Sequence, residues 1–201
     1  MRLITPHRRG ADVLVHVCCA PDAAYGVPAM QELFRVEGYF FNPNIDSGEE
    51  HERRLAAVRQ LQDALPFALR VGEGGRDAWE EAVQGLEYEP EKGRRCEACI
   101  RLRLARTARE AAAGGYSAFC TVLTVSPKKD AAMVNRIGRD EGEKAGIAFI
   151  EADMKKEDGF RKSVEVSKRL GLYRQDFCGC RFSIQRAGGN RANGEEKPVK
   201  N

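Results

Sequence analysis

No apolar run in this sequence approaches the ~20 residues that a membrane-spanning helix requires, and the chain contains no internal repeat. Three arginines near the N-terminus are not followed by a long apolar segment, so we expect no signal peptide. With 42% hydrophobic and 31% charged residues, wholesale disorder and fibrous classes are excluded. At 201 residues we expect one folded domain, located in the cytoplasm.

Cysteine is abundant for a chain expected in a reducing compartment, where thiols usually serve metal or redox sites and not structural disulfides. The sequence has seven cysteines. Six form close pairs, which are Cys18 with Cys19, Cys96 with Cys99, and Cys178 with Cys180. The seventh, Cys120, lies inside an apolar segment, and we expect it to pack in the core.

Short apolar segments alternate with segments of helical periodicity. The predicted strands are Val13–Val17, Tyr39–Phe41, Ala118–Leu123 and Ile147–Ile150, and the predicted helices are Ala23–Val36, one opened by the capping box of Ser47 and Glu50, Lys128–Ala145, Phe160–Leu170 and Ile100–Ala113. This alternation predicts an α/β fold with an open, mainly parallel sheet and helices on both faces. Residues 1–186 form one predicted catalytic domain, and residues 187–201, almost without apolar side chains, a disordered tail.

Ligands of such sheets bind at the carboxyl ends of the strands, and Cys18-Cys19 directly follows the first one. Three kinds of cysteine site remain open. A structural zinc requires four ligands, usually from two neighbouring pairs. A thioredoxin-type dithiol requires one pair and leaves four cysteines unexplained. An iron–sulfur cluster uses two pairs and leaves the third for electron or thiol chemistry, which accounts for most of the cysteines.

Basic residues cluster beside the central cysteine pair, although the net charge of +3 is too small to indicate nucleic-acid binding by itself. From Lys92 to Arg109 the chain has seven basic residues and one acid. A row of cations without interleaved acids repels itself unless an anion lies there. We therefore predict phosphate contacts on this face, with RNA-binding residues Arg95, Arg101, Arg103 and Arg106; a simply solvated helix face is the alternative.

Six motifs appear in order along the chain, and as a set they are specific. They are HVCCAPD at 16–22, NPNI at 42–45, GLE at 85–87, RCEAC at 95–99, LTVSP at 123–127 and GLYRQDFCGC at 171–180. Together they resemble the QueH-type epoxyqueuosine reductases from about Val13 to Phe182. The chain has no SGGxDS-like phosphate loop, which disfavours an ATP-cleaving relative of similar architecture.

The resemblance implies a Rossmann-like fold of the HUP type and a two-electron reduction. The epoxide of epoxyqueuosine, at the wobble position of tRNA, becomes the alkene of queuosine, with electrons from an external donor that the sequence does not identify. The resemblance also implies a [4Fe-4S] cluster, for which the ligands carried over by position are Cys18, Cys19, Cys96 and Cys99. Cys178 and Cys180 are then a redox-active pair.

Several roles stay open at this level. Asp22, beside the first cysteine pair, is assigned a catalytic role or a second, mononuclear iron. Cys178 and Cys180 either form a disulfide or bind that metal. For the proton donor to the epoxide oxygen we favour Asp176, and the other candidates are Glu87, His16 and Lys156. The alternative function is a non-catalytic, zinc-stabilised RNA-binding module.

Overall fold

The computed structural model describes residues 10–183 and the backbone of the strand Arg2–Leu3. Five parallel strands form the main sheet in the order β4-β3-β2-β5-β6. Their bounds are β2 Asp12–Val17, β3 Arg35–Phe40, β4 Ala68–Val71, β5 Ala118–Thr121 and β6 Ala148–Phe149. Strands β1 (Arg2–Leu3) and β7 (Ala152–Asp153) pair antiparallel beside it. The predicted sheet type is confirmed.

Six helices connect and flank the strands within the described residues. They are α1 Ala20–Gln31, α2 Gly48–Ala64, α3 Arg76–Val83, α4 Arg94–Ala113, α5 Ala131–Ala145 and α6 Gly159–Arg169. A short 3-10 turn, Val122–Val125, follows β5. In this part of the chain no helix combines the length and apolarity needed to cross a membrane. The predicted tail lies outside the described residues.

The central strand β2 carries the core. Val13, Leu14, Val15 and Val17 are fully buried between the helix layers, as a continuously apolar parallel strand requires. His16 in the same strand is also fully buried, and its imidazole contacts the Thr121 hydroxyl at 2.9 Å and the Phe41 carbonyl at 3.2 Å. Burial lowers its pKa well below the ordinary value. His16 is therefore a hydrogen-bonded core histidine.

Three predicted helix bounds are corrected. The helix expected from Lys128 begins at Ala131, because the Asp130 carboxylate accepts the backbone N–H groups of the first turn and caps it. Its predicted end is confirmed, with Gly146 in the left-handed region at φ +69°. Helix α1 starts at Ala20, three residues earlier than predicted, and ends at Gln31, because residues 32–34 form a turn that leads into β3 at Arg35.

Candidate metal centre

The first cysteine pair lies at the carboxyl end of β2. Cys19 is the N-terminal cap position of α1, and the two sulfur atoms are 3.8 Å apart. The Cys18 thiol donates to Asp22 Oδ2 at 3.2 Å. One ligand atom from each of these three residues lies within 4.8 Å of the other two. They therefore offer two sulfurs and one oxygen to a single ion, as the prediction for Asp22 requires.

The electrostatics of this triad suit a cation. Burial raises the pKa of Asp22 to about 6, against hydrogen bonds from the Cys18 and Cys19 thiols. The hydrogen bond with Cys19 and burial raise the pKa of Cys18 well above its usual value. Anionic ligands crowded in a buried place are stabilised when a metal ion displaces their protons.

The other two cysteine pairs lie around one small cavity. Cys96 and Cys99 lie on one face of the first turns of α4, three residues apart. With Cys178 and Cys180 they line a small cavity of about 20 Å³. The amino end of α4 contributes the positive end of its dipole, which favours thiolates there. Four sulfurs from two distant chain segments thus face one space.

The segment carrying Cys178 and Cys180 is fastened by a buried arginine. The Arg54 guanidinium, which pairs with Glu50 at 2.6 Å, donates to the carbonyls of Cys178 and Phe177 at 3.1 and 3.2 Å. Gly179 between the two cysteines has φ +104°, a conformation that other residues rarely adopt. These contacts place both thiols at the cavity independently of any metal.

Two cations without carboxylate partners lie among the thiols. Arg103 is 3% exposed, donates to Asn42 Oδ1 at 2.6 Å, and its buried Nε has no hydrogen-bond partner. Lys129 Nζ donates to Cys178 Sγ at 3.4 Å. Between residues 10 and 183 no ion pair joins either cation to a carboxylate. A hydrogen bond from Cys180, with Lys129 and Arg103, lowers the pKa of Cys178 well below its usual value.

Arg103, which is buried, and Lys129, which is half-buried, test whether the site fits an iron–sulfur cluster. A buried charge needs a compensating partner. Thiols face both cations in the small cavity, and the Asp22 carboxylate shares a larger cavity with them. A cluster ligated by thiolates is an anion that compensates both cations, so the donor set and its charge fit such a group.

A larger cavity of about 380 Å³ adjoins the small one. Cys18, Cys19 and Asp22 line its inner part, and Asp176 and Phe160 lie nearer solvent. Arg103, Lys129 and Cys178 line both cavities. A substrate group in the larger cavity is thus separated from the four-cysteine cavity by a single layer of side chains.

The candidate proton donors divide by position. Asp176 lines the larger cavity, whereas His16, Glu87 and Lys156 do not line it. His16 is inside the sheet, and Glu87 and Lys156 are exposed. The geometry therefore retains Asp176 alone among the four.

The arginines predicted to bind RNA have partners within the chain. The Arg95 guanidinium is buried and donates to the carbonyls of Leu86, Glu87 and Glu89, and Arg103 faces the thiols. Arg101 pairs with Glu97, Asp140 and Glu141, and Arg106 pairs with Glu110. The premise that this row lacks compensation is wrong, because the acids come from other turns and from α5. RNA contact by these arginines stays a prediction.

All seven cysteines are unpaired, so Cys178 and Cys180 form no disulfide here. Cys120 is 1% exposed in β5 and its thiol donates to the Ile150 carbonyl at 3.4 Å. Burial raises its pKa to about 12. Cys120 packs in the core, away from both cavities, as predicted.

With this geometry in place, comparison with known proteins is direct. Residues 13–186 match the family profile described as "Epoxyqueuosine reductase QueH". The chain belongs to the QueH family. Family members named epoxyqueuosine reductase QueH include those of Thermotoga maritima, 38% identical over 86% of this chain and 90% of the relative, and Streptococcus pyogenes, 33% identical over 88% and 71%. The Dehalococcoides mccartyi member is 33% identical over 85% and 91%.

Two solved structures share the fold with this QueH family member at low identity. One is the U34-tRNA thiolase NcsA from Methanococcus maripaludis with its [4Fe-4S] cluster, at TM-score 0.56 and 10% identity over 92% of this chain and 66% of that one. The other is a predicted subunit of tRNA methyltransferase from Methanocaldococcus jannaschii, at TM-score 0.51 and 13% identity over 80% and 88%. Both share the open, mainly parallel α/β architecture of this chain.

Three residues at the site were not singled out from the sequence. Arg54 fastens the Cys178 segment, Lys129 contacts the Cys178 thiol, and Trp79 lines the small cavity. Lys129 follows the LTVSP motif closely, which was a usable signal. Trp79 is the one tryptophan of the chain, and α3, which carries it, was not predicted.

Proposed function

We propose that this chain reduces the epoxide of epoxyqueuosine in the wobble position of tRNA, giving queuosine, in the cytoplasm. The observation that carries the proposal is the pair of adjoining cavities. One is lined by four cysteines and by cations, of which Arg103 is buried, and the other is open to a substrate and lined by Cys18, Cys19 and Asp22. Family membership supplies the substrate class.

The proposed reaction needs two electrons and two protons. Both carbon–oxygen bonds of the epoxide break, a carbon–carbon double bond forms, and the oxygen leaves as water. A cluster at this site supplies electrons one at a time, delivered to it by an external reductant. Asp176 is the proposed proton donor, because it is the one of the four candidates from the sequence that lines the larger cavity.

The chain's own residues prepare this chemistry. Arg103 and Lys129 stabilise anionic sulfur between the two cavities. Asn42 orients Arg103, since the Asn42 amide itself donates to the Val17 carbonyl at 3.0 Å. Buried side chains of Trp79, Arg95 and Ile100 form part of the wall of the small cavity, in which Cys99 is buried and the other three thiols are partly exposed. Preorganised charge of this kind lowers the cost of adding electrons to the site.

The positions of the cysteines favour an assignment of metal ligands that differs in part from the one based on the sequence. We assign the cluster to Cys96, Cys99, Cys178 and Cys180, because they share one cavity, and the second, mononuclear iron to Cys18, Cys19 and Asp22, because their ligand atoms converge. The set predicted from the sequence, Cys18, Cys19, Cys96 and Cys99, remains the alternative. Cys99 belongs to both sets.

Turnover is the direct test. Anaerobically reconstituted protein with a chemical reductant is incubated with tRNA carrying epoxyqueuosine, and the nucleosides are analysed by mass spectrometry. Conversion to queuosine is expected, and the Cys99→Ala variant is expected to give none. Binding of that tRNA without conversion by iron-loaded, reduced protein contradicts the proposal and favours the zinc-stabilised RNA-binding module.

Metal analysis of single variants separates the two ligand sets. We expect about four cluster irons per chain in the wild type. Under our assignment Cys180→Ala loses the cluster spectrum, whereas Cys18→Ala keeps it and loses only the additional iron. If the set predicted from the sequence holds the cluster instead, Cys18→Ala loses the cluster spectrum and Cys180→Ala keeps it. Cys120→Ser is the matched control, because it changes a thiol that contacts neither cavity.

A further inference from the structure

Trp79 lies on α3 against the four-cysteine cavity. Its side chain is 1% exposed and packs with Val83 and Cys99 in a small apolar cluster of their own. The guanidinium carbons of Arg76 and Arg181 lie 5.0 and 5.5 Å from the ring centroid. Besides lining the cavity, the indole ring of Trp79 carries a polar N–H group at one edge.

The indole N–H of Trp79 is buried and, within residues 10–183, has no hydrogen-bond partner. A buried donor without an acceptor destabilises the folded protein, so such groups usually mark a missing partner. The side chain lines the same cavity as the four thiols. Proximity of the indole acts to lower the pKa of the Cys99 thiol, although burial raises it overall. The natural acceptor is therefore sulfur.

We infer that Trp79 Nε1–H donates a hydrogen bond to the Cys99 thiolate when a cluster is bound, and that this bond raises the reduction potential of the cluster. The inference rests on the proposed function for the presence of the cluster, and Cys99 is a ligand in both proposed sets. A donor directed at a ligand sulfur withdraws negative charge and stabilises the reduced state, which carries one electron more.

The two arginines strengthen this donor. A cation over an aromatic face attracts ring electron density, which makes the indole N–H more acidic and a better donor. Arg181 is fixed by Glu80 at 2.5 Å, and Arg76 pairs with both Glu80 and Asp46. The carboxylates hold the guanidinium groups in place without approaching the N–H. Trp79 is thus a positioning and tuning residue, with no contact to the substrate cavity.

Because Trp79 is the one tryptophan, chemical labelling addresses it alone. Wild-type protein grown with ¹⁵N-indole-labelled tryptophan is loaded anaerobically with iron and sulfide, reduced, and examined by pulsed electron paramagnetic resonance. We expect a hyperfine coupling to the indole nitrogen and to a proton that exchanges in D₂O. A reduced [4Fe-4S] signal without either coupling overturns the inference and leaves the proposed function intact.

The potential is measured by redox titration of the same signal in variants. Trp79→Phe and replacement of Trp79 by benzothienylalanine, which is isosteric but lacks the N–H, are both expected to lower the midpoint potential. Val83→Ala, which loosens the same apolar cluster and keeps the N–H, is expected to leave it unchanged. An unchanged potential without the N–H, or an equal shift in Val83→Ala, overturns the inference. If wild-type protein binds no cluster, the inference falls together with the proposed cofactor.

Discussion

Cys120 is a thiol whose chemistry is suppressed by its surroundings. Its sulfur is enclosed in β5, and burial raises its pKa to about 12, so it is neither a ready nucleophile nor a metal ligand. Cys120→Ser is expected to retain iron content and turnover, with a modest loss of stability. Iron analysis, turnover and thermal unfolding of this variant check the expectation. Loss of the cluster on this substitution contradicts the present division of the cysteines.

Arg54 stabilises both a buried ion pair and the segment that carries Cys178. Arg54→Ala leaves the Glu50 carboxylate buried without its cation and releases two carbonyls of the Cys178 segment. We expect a loss of about 3–5 kcal/mol in the free energy of unfolding, measured by chemical denaturation, together with weaker iron retention. Arg53→Ala is the control, because Arg53 is exposed and contacts none of the cysteines; unfolding of that variant is expected to match the wild type.

At the level of residues, the sequence predicts which residues form the site better than it predicts which groups each side chain contacts. The three cysteine pairs and Asp22 are recognisable from spacing and order, because metal ligands come from few residue types. The arginines are not, since a guanidinium binds equally well to a phosphate, a carboxylate or a carbonyl. Arg95 finds carbonyls of the preceding loop, and Arg101 finds acids on α5, contacts that depend on the folded chain.

Two parts of the surface are candidates for binding tRNA. The exposed side of α4 carries arginines that are already ion-paired, whereas the exposed Lys128 and Arg174 line the mouth of the larger cavity. We expect Lys128→Ala and Arg174→Ala each to weaken tRNA binding and to reduce the slope of log K against log salt by about one. Arg101→Ala is expected to bind as the wild type does. Filter binding of tRNA across a salt series tests this expectation. Weaker binding by Arg101→Ala, with Lys128→Ala and Arg174→Ala binding as the wild type does, supports the α4 prediction instead.

The elements themselves were predicted where the pattern was strong. Strand β2 and the end of α5 follow from a continuous apolar run and a terminal glycine. Strand β4 and helix α3 were missed, because β4 is four residues long at the sheet edge and α3 has only eight residues, of which Trp79 and Val83 are buried. Short peripheral elements depend on neighbours that the local sequence does not reveal.

For the whole molecule, metal binding and folding are linked. A cluster binds the native state and not the unfolded chain, so its removal is expected to lower the melting temperature. Anaerobic chelation of reconstituted protein followed by thermal unfolding measures the effect. Cys99→Ala, which is expected to lack the cluster in either ligand set, should show a smaller change in melting temperature on chelation, because only the mononuclear iron assigned to Cys18, Cys19 and Asp22 is then removed. A wild-type melting temperature that chelation does not change contradicts the link.

The fold class was predictable from the chain as a whole, and the site only in part. Alternation of strands and helices identifies a parallel sheet, and such a sheet places loops at one edge. The convergence of the second and third cysteine pairs was not accessible in this way. It depends on Arg54 and on the Asp46 N–H, which donates to the Gly179 carbonyl at 3.0 Å. Both are contacts between segments more than a hundred residues apart.

The six site cysteines come from three segments, one in each third of the sequence, and Cys178 is the cysteine among them that lines both cavities. Among the six, Cys178 and Cys180 are synthesised last. Until the segment that carries them packs against Arg54, both cavities lack part of their lining. Under the proposed assignment, the cluster is therefore bound only after this segment has reached its folded position.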